Sequence, residues 1–120
     1  MPTTQQIGDR LAQLCRQGEF EAAQKELYAD DAVSIEAHES PAFAKETRGL
    51  AAIIEKGQKW SSMVEKVHEC TASTPLVAGN AIAMKLAMDV TMKGQGRQKL
   101  EEMCVYEVKD GKIASEQFFM

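Results

Sequence analysis

Ile82-Ala83-Met84-Lys85-Leu86-Ala87-Met88-Asp89-Val90-Thr91-Met92 places an apolar side chain on every second residue, with small or polar ones between them. A period of two is the pattern of a β-strand buried on one side. Alternate strand residues point to opposite faces, so the six apolar positions form one continuous wall long enough to cross a small domain. Such a wall has to be covered by the rest of the chain or by a ligand.

Turn signals bracket this strand. Lys93-Gly94-Gln95-Gly96 reads as a hairpin turn, because glycine reaches the positive φ that such turns require. Arg97 to Val108 is then a second long strand, Lys109-Asp110-Gly111-Lys112 a second turn, and Ile113 to Met120 a closing strand. Upstream, Val67 to Leu76 is a strand candidate that Pro75 and Gly79-Asn80 terminate. The first half of the chain reads differently. Thr3 or Thr4 caps a helix with Ile7, Leu11, Leu14 and Cys15 on one face, and Gly18 ends it. Glu19 to Tyr28 is a second helix that carries Phe20, Ala23 and Leu27 inward and stops at Asp30-Asp31. Ala32 to Ala37 is a short strand with Ser34, Glu36 and His38 on one face. Glu39 to Gly49 is a loop, and Leu50 to Met63 a third helix that buries Ile53, Ile54, Trp60 and Met63. This gives α-α-β-α-β-β-β-β, an α+β architecture in which helices pack on one face of a sheet.

Composition narrows the function. The 120 residues are read as a single domain, 1–120, large enough to bury a core without disulfides or metal. Fourteen basic against 18 acidic residues give a formal charge of −4, with no basic stripe, so nucleic acid is not an expected partner. No stretch is apolar enough to span a membrane, and the first residues do not resemble a signal sequence. Cys15, Cys70 and Cys104 are odd in number and irregularly spaced, which fits reduced thiols and a cytoplasmic location.

Tyr28-Ala29-Asp30-Asp31-Ala32 leading into a strand, Val105-Tyr106-Glu107-Val108-Lys109-Asp110-Gly111-Lys112-Ile113, and the ending Glu116-Gln117-Phe118-Phe119 together resemble the nuclear-transport-factor-2-like superfamily, in its SnoaL-like, ketosteroid-isomerase-like branch. The resemblance covers nearly the whole chain. It implies a cone-shaped, curved mixed β-sheet wrapped around the N-terminal helices, an apolar pocket between them, and a homodimer through the sheet. Its members include isomerases, dehydratases, epoxide hydrolases, cyclases and proteins without demonstrated chemistry, so the fold does not decide the function.

Against ketosteroid-isomerase relatives, Glu36 falls where their general-base aspartate stands. A carboxylate in an apolar pocket has its charged form disfavoured and can exchange a proton with a carbon acid near neutral pH. The positions that match their oxyanion donors are Ala12 and Cys104, which supply no strong donor. Tyr28 and Tyr106 are possible substitutes, and His38, two residues beyond Glu36, can assist proton transfer. Glu36, His38 and Tyr106 are therefore the catalytic candidates. Trp60, Met84, Leu86, Met88, Glu102, Cys104, Glu116 and Phe118 are expected to line the pocket. His68 is expected on the outer face, with Val67 turned inward. No spacing points to a metal, and no cofactor motif is present. The reading favoured from the sequence is a pocket that binds a small hydrophobic molecule without established chemistry. The alternative is an isomerase, lyase or cyclase that uses Glu36 as base on a hydrophobic carbonyl compound.

Overall fold

The structure is a computed structural model that describes residues 1–120. Helix α1 (Thr4–Arg16) opens on a capping box: the Thr3 hydroxyl accepts from the Gln6 amide, and the Gln6 side chain accepts from the Thr3 amide. It closes on a Schellman motif. Gly18, at φ 74°, donates to the Cys15 carbonyl, and Glu19 donates to that of Leu14. Helix α2 (Phe20–Leu27) passes without a break into strand β1 (Tyr28–Ile35). The remaining elements are β2 (Glu46–Arg48), α3 (Leu50–Met63), β3 (Val64–Ala72), β4 (Leu76–Ala78), β5 (Ala81–Met92), β6 (Gly96–Lys109) and β7 (Lys112–Phe119).

The seven strands form one curved mixed sheet in the order β2-β1-β7-β6-β5-β3, with β4 on β5 beyond the end of β3. All pairs are antiparallel except β1 with β7. The β6–β7 hairpin turns on Asp110 and Gly111, both at positive φ, as a two-residue turn between twisted strands requires. The α+β class and the order of the major elements follow the sequence reading. The boundaries differ in three places. The expected strand Ala32–Ala37 begins four residues earlier and ends at Ile35, because Tyr28 already pairs with Ile113. Residues 46–48, read as loop, form an edge strand on β1. The expected strand Val67–Leu76 is two strands, interrupted at Ser73-Thr74-Pro75, where proline has no amide to continue a ladder. Val67, expected inward, is exposed, since β3 is an edge strand whose register slips between Val67 and Glu69.

Helices cover one face of the sheet. Ile7, Leu11, Ala12 and Cys15 of α1 share a buried cluster with Ile53 of α3, Ile82 and Met84 of β5, Cys104 and Tyr106 of β6, and Ile113 of β7. Two helical glycines set how near the helices come. A Cβ on Gly8 would lie 3.4 Å from both Ile82 Cγ2 and Pro75 Cβ, so α1 rests directly on the start of β5. A Cβ on Gly57 would meet only Gln24 Oε1 at 3.9 Å, because α3 stands away from the sheet there. Opposite outcomes are expected at the two sites in urea unfolding. Gly57→Ala should stabilise the protein by roughly 0.5–1 kcal/mol through helix propensity, whereas Gly8→Leu should cost about 1–3 kcal/mol by overpacking.

Candidate functional site

Where α3 stands away from the sheet, a cavity of about 970 Å³ opens between α1, α2, α3 and the inner face of the sheet. Its apolar walls include Leu11, Phe20, Ile53, Trp60, Leu86, Met88, Met92, Leu100 and Phe118, and Phe43 reaches it from the loop after β1. The second half of the β5 stripe therefore faces the cavity. The first half does not: Ile82 and Met84 are almost fully buried in the cluster shared with α1, so Met84 is a core residue and not a lining one.

The polar end of the cavity is built by β1, α3, β6 and β7. Ser34 and Glu116 are both buried, on strands that run parallel and in a register that places them side by side. The Ser34 hydroxyl donates to Glu116 Oε2 at 2.6 Å, and the Tyr28 hydroxyl donates to Oε1. Lys56, one turn of α3 beyond Ile53, points its ammonium into this group and donates to Ser34 Oγ at 2.6 Å and to Glu36 Oε1 at 2.7 Å. A continuous chain thus runs from Tyr28 through Glu116, Ser34 and Lys56 to Glu36. Burial pushes the Glu116 carboxyl up, against the pull of its two hydroxyl donors and of Lys56. Burial likewise pushes the Tyr28 and Tyr106 phenols well up, with the Glu116 carboxyl adding to the effect at both.

Glu102 stands apart from that chain. Its only hydrogen-bonding neighbour is the Cys104 thiol at 3.8 Å, a weak donor. Desolvation and the neighbouring charges of Glu36 and Glu116 push its carboxyl up to about 7, with the thiol and Lys56 acting against them. It is therefore a carboxyl that both holds and releases a proton near neutrality, inside an apolar cavity.

Glu36, Tyr106, Trp60, Leu86, Met88, Glu102, Glu116 and Phe118 all line the cavity. His38 does not. The strand ends before it, and its exposed side chain is not among the lining residues, so it is not positioned to assist Glu36. Cys104 is fully buried but faces the core, and burial raises its thiol strongly, which leaves it an inert packing residue. Ala12 is equally buried and absent from the lining. His68 is exposed, with Nε2 2.7 Å from Thr91 Oγ1. Nothing in the local sequence marks Lys56 as part of a site. Its signal is a lysine three residues after Ile53, with Lys59 one turn further on, and lysines at helical spacing are too common to mark a site.

A family model for the SnoaL-like domain matches residues 2–120. No curated protein matches the sequence. Among solved structures, a SnoaL-like protein from Mesorhizobium loti is 33% identical, with a TM-score of 0.91 over 99% of this chain and 100% of the other. A nuclear-transport-factor-2-like protein from Burkholderia thailandensis is 18% identical, with a TM-score of 0.83 over 99% and 91% of the two chains. A Catenulispora acidiphila protein with a ketosteroid-isomerase-like fold, solved in complex with trimethylamine, is 18% identical, with a TM-score of 0.74 over 98% and 87%. The last two are likenesses of fold alone. With a family model that spans the chain and a close structural relative over its whole length, this protein belongs to the SnoaL-like domain family.

Proposed function

We propose that the protein is a small-molecule-binding member of this family, working in the cytoplasm, whose cavity holds a hydrophobic molecule. The observation that carries this reading is the cavity itself. Its volume suits a compound of a few fused or linked rings, its walls are mostly apolar with several aromatic side chains, and Glu36, Lys56 and Glu116 place polar groups where β1, α3 and β7 meet. Trp60 is the only tryptophan and lies in the wall, so its fluorescence reports occupancy without a label. Titration with a panel of cyclic enones and aromatic ketones should give saturable changes with dissociation constants on the order of micromolar. Gly57→Phe, which projects a ring into the space beside Gln24, should weaken binding at least about tenfold while leaving the fold intact. A flat response to the whole panel would remove the reading.

Acid–base catalysis is the second reading, favoured by the carboxyl of Glu102 poised near neutrality beside Glu36 held by Lys56. In it Glu36 abstracts the proton α to a carbonyl, and Glu102 or Tyr106 donates toward the developing enolate oxygen. Deuterium exchange at the α carbon of a bound enone, followed by NMR, should then fall by roughly 10²–10⁴ in Glu36→Gln. Exchange no faster than in buffer would leave binding as the sole role.

The outer sheet face is proposed to pair with a second copy. Met103, Val105 and Phe119, which are 44%, 36% and 49% exposed, lie on neighbouring strands there. Lys85 and Glu101, bridged at 3.2 Å, give the patch both signs of charge, so it can face itself across a two-fold axis without net repulsion. Sedimentation should find a dimer that Val105→Glu converts to monomer; a monomeric wild type at millimolar concentration would rule this out.

A further inference from the structure

The cavity is unbalanced in charge. Glu19, Glu21, Glu36, Glu102 and Glu116 line it, and Lys56 is the only cationic side chain that does. Most of these groups are already matched. Glu21 accepts from Gln58 and pairs with Lys25, Glu36 pairs with Lys56, and Glu116 takes the hydroxyls of Tyr28 and Ser34. Lys56 is itself committed to Ser34 and Glu36, so it has little to offer an anion. Glu102 has no counter-charge of its own and faces the open space. The acidic side chains do not converge on one point as metal ligands do.

The aromatic lining points the same way. Phe20, Phe43, Trp60 and Phe118 border the cavity, and the negative face of an aromatic ring attracts a cation. Two lysines already use such faces: Lys56 Nζ lies 5.8 Å from the Phe118 centroid and Lys59 Nζ 5.2 Å from that of Phe43. Phe118 pairs across the sheet with Cys104, two residues from Glu102 on the same inner face, so ring and carboxyl are neighbours.

We propose that the cavity selects hydrophobic cations, an ammonium group on an apolar or aromatic body, with the charge seated between Glu102 and the aromatic wall. This rests on the reading of the cavity as a ligand site and adds the charge of the ligand to it. The pH dependence has a defined sign. Burial holds the Glu102 carboxyl at about 7, with Glu36, just after β1, and Glu116 of β7 acting the same way and Cys104 of β6 and Lys56 of α3 acting against them. Above that pH Glu102 is ionised and attracts a cation. Below it the attraction is lost, while a neutral carbonyl ligand gains a hydrogen-bond donor, so the two ligand classes respond to pH in opposite directions.

The test compares three ligands of similar shape by Trp60 fluorescence and calorimetry: trimethyl(2-phenylethyl)ammonium, its carbon isostere (3,3-dimethylbutyl)benzene, and 3-phenylpropanoate. The quaternary ammonium has no proton to lose, so any pH dependence of its binding belongs to the protein. At pH 8 it should bind at least about tenfold tighter than the isostere, with the carboxylate weakest. That preference should shrink as the pH falls from 8 to 6, and in Glu102→Gln it should be lost at every pH. Retained binding of the isostere by Glu102→Gln shows that the variant is folded and its cavity intact. Equal binding of cation and isostere, a preference that survives Glu102→Gln, or one that grows on acidification would overturn the cation proposal and leave the cavity reading standing. Failure of all three ligands to bind would overturn both.

Discussion

A carboxyl group buried as completely as that of Glu116 needs a partner for each oxygen, and this requirement organises the polar half of the molecule. Both partners come from β1: Tyr28 from its first residue and Ser34 from near its end. The two hydroxyls bracket the carboxyl only because β1 lies parallel to β7, in a register that sets Ser34 beside Glu116. That pairing is the sole parallel one in the sheet, and it joins the strand that follows the first two helices to the last strand of the chain. Lys56 extends the same network to α3 through Ser34. One buried carboxyl thus ties together β1, β7 and the helix that roofs the cavity.

Cavity shape follows from small residues at the helix–sheet boundary. Gly8 lets α1 settle on Ile82, which seals the first half of the β5 stripe into the core. Along α3 only Ile53 is fully buried, and beyond it Gly57 and Trp60 face a space that the sheet curves away from. The same alternating strand is therefore core at one end and cavity wall at the other. The inward side chains of that strand offer no strong hydrogen-bond donor, so the polar groups of the cavity come from β6, β7, α3 and the end of β1.

Ala12 and Cys104, which the resemblance to ketosteroid isomerases sets against their oxyanion donors, are both packed into the core and absent from the cavity lining. The carboxyls that do line the cavity are those of Glu102, two residues before Cys104 on the same strand face, of Glu36, paired with Lys56, and of Glu116, held by two hydroxyls. A carboxyl without a counter-charge and an ion pair within one apolar space make an environment distinct from a paired-donor oxyanion site.

Local pattern was sufficient for the α+β class, the three helices, and the long β5–β6 and β6–β7 hairpins. These depend on side-chain period, caps and positive-φ turn residues, which act over a few neighbours. The edge strand at 46–48, the early start of β1 and the break before β4 could not be read this way, because each exists only through pairing with a distant strand. The site divided along the same line. Glu102 and Glu116 were visible as inward residues of alternating strands, but the isolation of one and the enclosure of the other depend on Tyr28, Ser34 and Lys56, which lie 88, 82 and 60 residues or fewer away in sequence and meet only in the fold. The sequence by itself determined which faces are apolar and where the chain turns. Tertiary structure alone decided which carboxyl finds a partner and which is left facing the cavity, because desolvation and charge pairing depend on distances in space.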